Sequence, residues 1–421
     1  MPPVSQLMVV VTSLNSHLLP GPKLQTDIFD VLLRWRQYQY VYTADIAKMY
    51  RQILIDPRDR DYQRILWKAE SETTPQEYRL QTVTYGIASA PYLALRVIQQ
   101  LLHDEGEAYP LALSILRDHI YVDDVLFGAE DIPLLRHTRD QVCSLLQRGG
   151  FNLRKWASHY LALLADIPTD DHGLACTKDL KHESLSVFGI RWVTLITIIA
   201  KIFMQQLWRL KLEWDDDIPK NILAQWETIY RKFASLDGLQ LVRWVHRGSD
   251  IKHFEIHGFA DASSVAYAAA VYIRVTSLSG EITTTLLAGK SKVAPIKIMS
   301  IPRLELSAAV LLARLIESVQ NALKLTDLVC HCWTDSTVVL AWLSQHPSKW
   351  KTFVSHRVTV VQSKVPKAKW HHVLSEDNPA DCASRGLLKQ DFASFSLWWQ
   401  GPHWLKLTPS DWPAASFPQF E

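Results

Sequence analysis

The sequence predicts a multidomain protein of the α+β and α/β classes, with two mixed domains separated by a helical connector. The chain has 421 residues, enough for two or three domains at roughly 150 residues each. Hydrophobic residues make up 48% and charged residues 21%, an ordinary balance for a chain that buries a core. Strand-like and helical patterns alternate before and after a Trp-rich helical stretch. The expected segments are 1–40, a first domain over 41–193, a connector over 194–250, a second domain over 251–388, and a Trp- and Pro-rich tail over 389–421.

Composition limits the partners and the location that can be expected. The net charge is only +2, so binding to nucleic acid would have to come from local basic patches. The five cysteines have neither regular spacing nor paired zinc ligands, which predicts reduced thiols. We recognise no signal peptide and no apolar segment of transmembrane length, and therefore expect a cytoplasmic or nuclear protein.

Periodicity and capping residues indicate the elements. Thr26-Asp27 can cap a first helix, and Gly149-Gly150 can end a later one. Runs rich in β-formers predict the strands. The predicted helices of the first domain lie at 28–35, 91–102 and 137–148, and its strands at 38–44 and in both halves of 119–128. Helices at 205–214 and 221–235 follow in the connector, then strands at 254–259, 266–275, 283–288, 328–333 and 369–373, with helices from 302, over 337–343 and over 350–363.

The strongest local signal for chemistry is Tyr121-Val122-Asp123-Asp124. Adjacent aspartates between apolar strand residues are costly to bury unless a cation neutralises them. Asp45 also follows an apolar strand, so one divalent-metal site formed by all three carboxylates would explain both features. An ordinary polar hairpin turn is the alternative for the Asp-Asp pair taken alone.

Five motifs in the first domain resemble those of reverse transcriptases, and most closely those of BEL/Pao-type LTR retrotransposons. The motifs are ADIAKMYRQI, TYGIASAPYLALRVIQQL, YVDD, GGFNLRKW and FGIRW, and the stretch SLNSHLLPGPKLQTDIFDVLLRWRQYQYVY is shared with the BEL/Pao group. The resemblance implies a retrotransposon pol polyprotein whose polymerase palm follows partial fingers. We expect most of the thumb to be missing and the polymerase to be the less well preserved activity.

This resemblance also implies roles for single residues. Asp45, Asp123 and Asp124 would bind Mg²⁺ or Mn²⁺, two ions per active site. The implied substrate-binding residues are Tyr50, Gly86, Tyr121 and Lys155. A buried aromatic, a turn glycine and a solvated lysine are the alternatives for three of them. The implied partners are an RNA template, an RNA–DNA hybrid, dNTPs and other products of a retroelement polyprotein.

The second domain places four acidic residues at the ends or beginnings of predicted elements. They are Asp261 after EIHGFA, Glu305 in the first turn of a helix, Asp335 after a strand, and Asp381 in NPADCASRG. Carboxylates at such positions can converge on two metal ions. Helix capping is the alternative for Asp335 and Asp381.

The order strand–strand–strand–helix–strand–helix–helix–strand, with FADASS, RLEL, WTDST and NPADCASRG, resembles a retroelement ribonuclease H domain. By this resemblance all four acids bind metal and act in catalysis, and His372 assists product release, although His371 beside it leaves that assignment open. Recognition of the hybrid would use its A-form shape and 2′-hydroxyls. Candidate phosphate contacts are Lys290, Lys292, Lys297 and Arg303.

Two other classes of function remain open. A catalytically inactive retrotransposon fragment, or a co-opted nucleic-acid-binding protein, would retain the same acids by ancestry. An aspartic-type Pao retrotransposon peptidase is a remote alternative, because Asp335-Ser336-Thr337 lacks the glycine that such an active-site turn needs.

Overall fold

The computed structural model describes residues 13–68, 73–173, 194–213, 215–234, 242–246, 248, 250–325, 328–386 and 395–413. The chain divides into two compact units. Unit 1 comprises Met1–Trp35 and Tyr40–Asp179, and unit 2 comprises Arg36–Gln39 and Leu180–Glu421. The FGIRW motif at 188–192 lies outside the described residues.

Unit 1 is built on an antiparallel sheet with the order β4-β5-β1-β6. Its strands are β1 (Tyr40–Ile46), β2 (Arg64–Trp67), β3 (Gln76–Arg79), β4 (Ile120–Tyr121), β5 (Asp124–Ala129) and β6 (Leu153–Ala157), and its helices are α1 (Ile28–Arg36), α2 (Ala90–Glu105), α3 (Pro110–Asp118) and α4 (Ile132–Arg148). Strands β2 and β3 form a separate hairpin whose residues are all exposed.

The core of unit 1 follows from the spacing of its apolar residues. Helix α2 buries Ala94, Ile98 and Leu101, which recur at helical spacing and face one side. The central strand β1 buries Tyr42, whose hydroxyl donates to the Leu163 carbonyl at 2.6 Å. Asp27 caps α1 as predicted, because its Oδ1 accepts from the Phe29 amide at 2.9 Å. These contacts fix the sheet whose strand ends carry the acidic residues.

Unit 2 contains a five-stranded mixed sheet with the order β11-β10-β7-β8-β9. Its strands are β7 (Ile251–Ala262), β8 (Ala266–Ser277), β9 (Ile282–Val293), β10 (Cys330–Thr334) and β11 (Lys369–His372), and its helices are α5 (Thr194–Leu210), α6 (Lys220–Ala234), α7 (Ile301–Leu323), α8 (Thr337–Leu343), α9 (Thr352–Lys364), α10 (Pro379–Arg385) and α11 (Ser396–Gln400). Strands β7 to β9 are antiparallel, whereas β10 runs parallel to both β7 and β11. This is the strand arrangement of an RNase H-like sheet.

Helix α7 is the central helix of unit 2. Among the described residues it is also the one helix long and apolar enough to cross a membrane, but 61% of its most apolar window is buried within the unit. Gly258 on β7 allows α7 to pack closely on the sheet, because a Cβ at this position would lie 2.6 Å from Leu312 Cδ1. The pattern is therefore that of a core helix packed on a sheet.

The C-terminal described segment, 395–413, also packs on the sheet of unit 2. The Tyr272 hydroxyl donates to the Trp398 carbonyl at 2.7 Å, and the Arg274 guanidinium donates to the carbonyls of Leu405 and Leu407. Trp404 lies 4.5 Å from Trp333, measured between ring centroids. These contacts make the segment part of the unit's core.

Candidate catalytic carboxylate sites

The acidic site of unit 1 lies where β1 meets the β4–β5 hairpin. Asp45 on β1 is the register partner of Asp124 on β5, and the Ile46 amide donates to the Asp123 carbonyl at 2.7 Å. Adjacent antiparallel strands therefore bring the three predicted carboxylates together. Val122, at the tip of the hairpin, has φ +58°, a left-handed conformation that is rare for a β-branched residue.

These carboxylates interact electrostatically. Burial, and then the neighbouring charges of Asp123 and Asp45, together raise the pKa of Asp124 to about 6. Burial, with the charge of Asp45, also raises the pKa of Asp123. Lys155 opposes both shifts, with its Nζ 3.1 Å from Asp45 Oδ2. The three carboxylates repel one another when they are ionised. A cation placed near them is therefore favoured.

Lys155 reaches Asp45 because β6 carries a bulge. Asp45 pairs with Arg154 whereas Thr43 pairs with Ala157, so one extra residue lies on β6 between these positions. Lys155 has φ +54°, as a bulge residue can. Its side chain is 69% exposed and forms an ion pair with Asp45, so its position is compatible with both a solvated lysine and a substrate-binding one.

Two of the other predicted substrate residues, Tyr50 and Tyr121, lie near this site, and Gly86 follows Tyr85, which packs on Tyr50. Tyr50 is buried and packs edge-on against Tyr85 at 4.6 Å, while burial and then the charge of Asp123 raise its pKa. Gly86 is exposed, has φ +86°, and has no heavy atom within 4 Å of where a Cβ would be. Tyr121 is half-buried at the end of β4. Both readings of Tyr50 and Gly86, structural and substrate-contacting, are compatible with these positions.

The acidic site of unit 2 is centred on two parallel strands. Thr334 on β10 pairs with Ala260 on β7, so Asp335 and Asp261 emerge side by side at the carboxyl ends of these strands. Asp261 is 3% exposed, and its Oδ2 accepts from the Ser384 hydroxyl at 2.5 Å. The Ser375 hydroxyl donates to Asp335 Oδ2.

Glu305 and Asp381 complete the set from two helices. Glu305 is the fifth residue of α7, one position further into the helix than predicted, and its Oε2 accepts from the Ser336 hydroxyl at 2.5 Å. Asp381 lies in the first turn of α10, where Arg385 Nε approaches its Oδ1 to 2.8 Å without hydrogen-bond geometry.

The capping alternative for the two aspartates is wrong. Ser336 caps α8 by accepting from the Val339 amide, and Asn378 caps α10 by accepting from the Ala380 amide. Asn378 also donates to the Ala260 carbonyl at 3.1 Å, which fixes the start of α10 beside β7. Asp335 and Asp381 are therefore not needed as caps. The sequence signals that could have shown this are the serine after Asp335 and the Asn-Pro pair before Asp381.

Electrostatics link the acids of unit 2. Burial is the largest cause that raises the pKa of Asp261 to about 7; the charges of Asp335 and Asp381 act in the same direction, and the Ser384 hydrogen bond opposes them. Burial and then the charge of Asp335 raise the pKa of Glu305. Burial also raises the pKa of Asp381; the Arg385 guanidinium opposes this shift and the charge of Asp335 adds to it. Such shifts are typical of acids that share a partly buried site.

The carboxylate oxygens of unit 2 are suitable ligands for a divalent cation, but the side chains as they stand do not surround a binding position for one. The buried oxygens Asp335 Oδ1 and Asp381 Oδ1 have no hydrogen-bond partner. Carboxylate oxygens are the ligands that Mg²⁺ and Mn²⁺ prefer. Yet among the described residues no three His, Cys, Asp or Glu side chains are grouped closely enough to bind a metal ion.

The two candidate histidines lie in different surroundings. His371 Nε2 is 2.9 Å from His331 Nδ1, its ring stacks on Trp333, and burial lowers its pKa to about 4. His372 ends β11 opposite Thr334 and, by strand alternation, points to the other face. His371 is thus a member of an aromatic cluster.

The predicted phosphate contacts are all exposed. Lys290 and Lys292 project from β9, and Lys297 lies in the segment that follows it. Arg303 lies near the start of α7, with its guanidinium 5.1 Å from the ring centroid of Phe353. These positions leave both phosphate binding and simple solvation open.

Comparison with known proteins bears on the fold. Residues 186–336 match the family described as the Pao retrotransposon-like RNaseH-like domain. A foamy viral protease–reverse transcriptase, dRH form, in complex with double-stranded DNA has a TM-score of 0.50 and 14% identity over 84% of this chain and 60% of its own. The foamy viral protein bound to an RNA/DNA hybrid gives 0.47 and 15% over 84% of this chain and 46% of its own. No curated protein sequence matches the chain.

At 14% identity the structural likeness shows a shared fold, and the chain spans only 60% of the length of that foamy viral chain. The family match covers the connector and much of the mixed sheet of unit 2. The sheet order, the family match and the likeness to a retroviral polymerase agree with one another. Residues 186–336 are therefore similar to the Pao retrotransposon-like RNase H-like domain, and the chain shares its fold with a foamy viral protease–reverse transcriptase.

Proposed function

We propose that unit 2 is a ribonuclease that cleaves the RNA strand of RNA–DNA hybrids. The observation that carries this proposal is the pairing of Asp261 and Asp335 at the carboxyl ends of adjacent parallel strands, with Glu305 and Asp381 brought in from α7 and α10. The charge of Asp335 acts on each of the other three carboxylates, and a polyanionic substrate would add to this repulsion. The arrangement therefore suits a site that works with cations.

Asp261, Glu305, Asp335 and Asp381 would bind two Mg²⁺ or Mn²⁺ ions. When bound, such ions supply an activated water and stabilise the leaving oxygen of a phosphoryl transfer. The hydroxyls of Ser384, Ser336 and Ser375 each orient one carboxylate. His372, on the face of β11 opposite His371, would exchange a proton with departing product.

We further propose that unit 1 is a polymerase-type centre, in which Asp45, Asp123 and Asp124 bind the same ions. Tyr50 would contact the incoming sugar, Gly86 and Tyr121 would line the nucleotide site, and Lys155 would neutralise the leaving pyrophosphate. The partners would be an RNA template, dNTPs and the other products of a BEL/Pao-type polyprotein. The solved foamy viral complex with double-stranded DNA supports nucleic acid as the partner class.

The test is cleavage of a labelled RNA–DNA hybrid by the purified chain with Mg²⁺, beside an Asp261→Asn variant. Cleavage by the wild type that is lost in the variant is the expected result, because Asp261 is the most buried of the four acids. A folded wild-type protein that binds the hybrid without cleaving it would contradict the proposal.

One observation favours a second candidate, a nucleic-acid-binding protein without catalysis. No three potential ligands among the described residues are grouped to bind a metal ion as the side chains stand. Such a protein would bind the hybrid equally well with Mg²⁺ and with a chelator. The same assay, run with EDTA and read out as binding, separates the two functions.

A further inference from the structure

The hairpin that carries Asp123 and Asp124 has a strained tip. Val122 adopts φ +58° and is 36% exposed, so its own side chain does little to fix this conformation. β-Branched residues strongly disfavour the left-handed region, and such a residue persists there only when its surroundings hold it. Something outside the hairpin must therefore hold the turn.

The side chain of Gln25 holds this turn by hydrogen bonds. Its Oε1 accepts from the Val122 amide at 3.0 Å, and its Nε2 donates to the Ile120 carbonyl at 3.2 Å. One side-chain amide thus spans the residues on both sides of Tyr121. The same Nε2 also lies 3.1 Å from the Thr26 carbonyl, so the side chain has a fixed orientation.

The segment around Gln25 is itself anchored to unit 1. Asn15 donates to the Gly86 carbonyl and accepts from the Ala88 amide, both at 2.8 Å. Gly21 lies directly on the ring of Tyr92, where a Cβ would come within 2.4 Å of the ring. At the other end, Asp27 caps α1. Gln25 is therefore presented from a segment tied down on both sides.

We propose that Gln25 is a positioning residue that holds the Asp123–Asp124 turn in the conformation that aims both carboxylates toward Asp45. This inference rests on the proposed metal-binding role of unit 1. The main-chain bond from Ile46 to Asp123 fixes the hairpin from the β1 side, and Gln25 fixes it from the opposite side. Without Gln25 the Val122 backbone relaxes toward an ordinary turn, which re-aims Asp123.

The test follows valine methyl signals by NMR in the full chain. Val125 is fully buried beside Asp124, so its methyl signals report on this site and are broadened by Mn²⁺ bound there. Gln25→Ala and the length-matched Gln25→Met should each shift the Val122 and Val125 signals without metal. Each variant should also raise, by about fivefold or more, the Mn²⁺ concentration at which the Val125 signals reach half of their full broadening. This is the effect expected from the loss of two hydrogen bonds.

A second substitution tests the cause. Val122→Gly removes the strain, so adding Gln25→Ala to it should change the Mn²⁺ half-point by less than about twofold. Gln100→Ala is the matched control, because this exposed glutamine of α2 bonds Arg96 and Asp104, and it should leave the Val125 half-point unchanged. Metal-free signals at their wild-type positions in both Gln25 variants, or an equal effect of Gln100→Ala, would overturn the inference. If Mn²⁺ does not broaden the Val125 signals of the wild type, the proposed metal-binding role of unit 1 is wrong. The shifts measured without metal still test the role of Gln25 in that case.

Discussion

At the scale of single residues, both acidic sites hold carboxylates whose surroundings favour the protonated form. Asp124 and Asp261 have pKa values raised to about 6 and about 7, in each case chiefly by burial and then by neighbouring carboxylates. Serine hydroxyls and one lysine lower this repulsion in the absence of a metal. The ionisation of these acids should therefore be sensitive to substitutions of their hydrogen-bond donors.

Ser384→Ala tests this at Asp261. The Ser384 hydroxyl lowers the pKa of Asp261, so its loss should raise that pKa further above its usual range. If metal binding needs the ionised form, the acidic limb of the pH profile for hybrid cleavage should move to higher pH. Ser318→Ala, which removes a hydroxyl that donates to the Arg314 carbonyl within α7, is the matched control. An acidic limb that stays in place would show that Ser384 does not tune Asp261.

A cluster of buried imidazoles gives a second prediction. Burial lowers the pKa of His257, and burial with neighbouring imidazoles lowers the pKa of His331 to about 3 and of His371 to about 4. The unfolded chain protonates His331 and His371 near pH 6.5, so between that value and about pH 4 it binds protons that the folded chain does not. Each of these two imidazoles should therefore reduce the free energy of unfolding, by up to about 1.4 kcal/mol per pH unit, as the pH falls through this window.

The measurement is urea unfolding at pH 7, 6 and 5. His331→Phe keeps a ring between His257 and His371 but cannot be protonated, so its loss of stability toward pH 5 should be smaller than that of the wild type. His103→Gln, at an exposed position on α2, should follow the wild type. Identical slopes for wild type and His331→Phe would mean that the cluster does not couple to pH.

At the scale of elements, hydrophobic periodicity was sufficient to predict most helices and strands, including α8 over 337–343. Ends were less predictable: the connector helix expected over 205–214 runs from Thr194 to Leu210. The hairpin of β2 and β3 was missed because its residues are all exposed and show no alternation of burial. The order of the five strands in unit 2 depends on contacts distant in sequence, which spacing alone does not contain.

The segment at 395–413 gives a prediction at this scale. Trp404 is 8% exposed and packs against Trp333 and Phe259. Trp404→Ala should lower the free energy of unfolding of unit 2 by about 3–5 kcal/mol, the usual effect of emptying a large aromatic site. Trp208→Ala on α5, where the side chain is 70% exposed, should change it by less than about 0.5 kcal/mol. Chemical unfolding followed by far-UV circular dichroism compares the two, and equal effects would show that the tail is not part of the core.

At the scale of the whole molecule, the sequence located two acidic sites in two successive regions, and the structure has two compact units with one such site in each. It did not predict that residues 36–39 belong to unit 2. Arg36 donates to the carbonyls of Arg243 and Leu286, and Arg243 donates to those of Tyr38 and Gln39. These bonds join residues more than 200 positions apart, and no local pattern in a single sequence records them.

The two units predict two separable activities. Asp123 and Asp335 each belong to a carboxylate group within a single unit. Asp123→Asn should abolish any primer extension and leave hybrid cleavage within about twofold of the wild type, because the fold of unit 2 does not depend on that side chain. Asp335→Asn should abolish hybrid cleavage and spare primer extension for the matching reason. Both activities are measured on the same preparations, with circular dichroism as the control for folding. Loss of both activities in either folded variant would mean that the chain has one functional site rather than two.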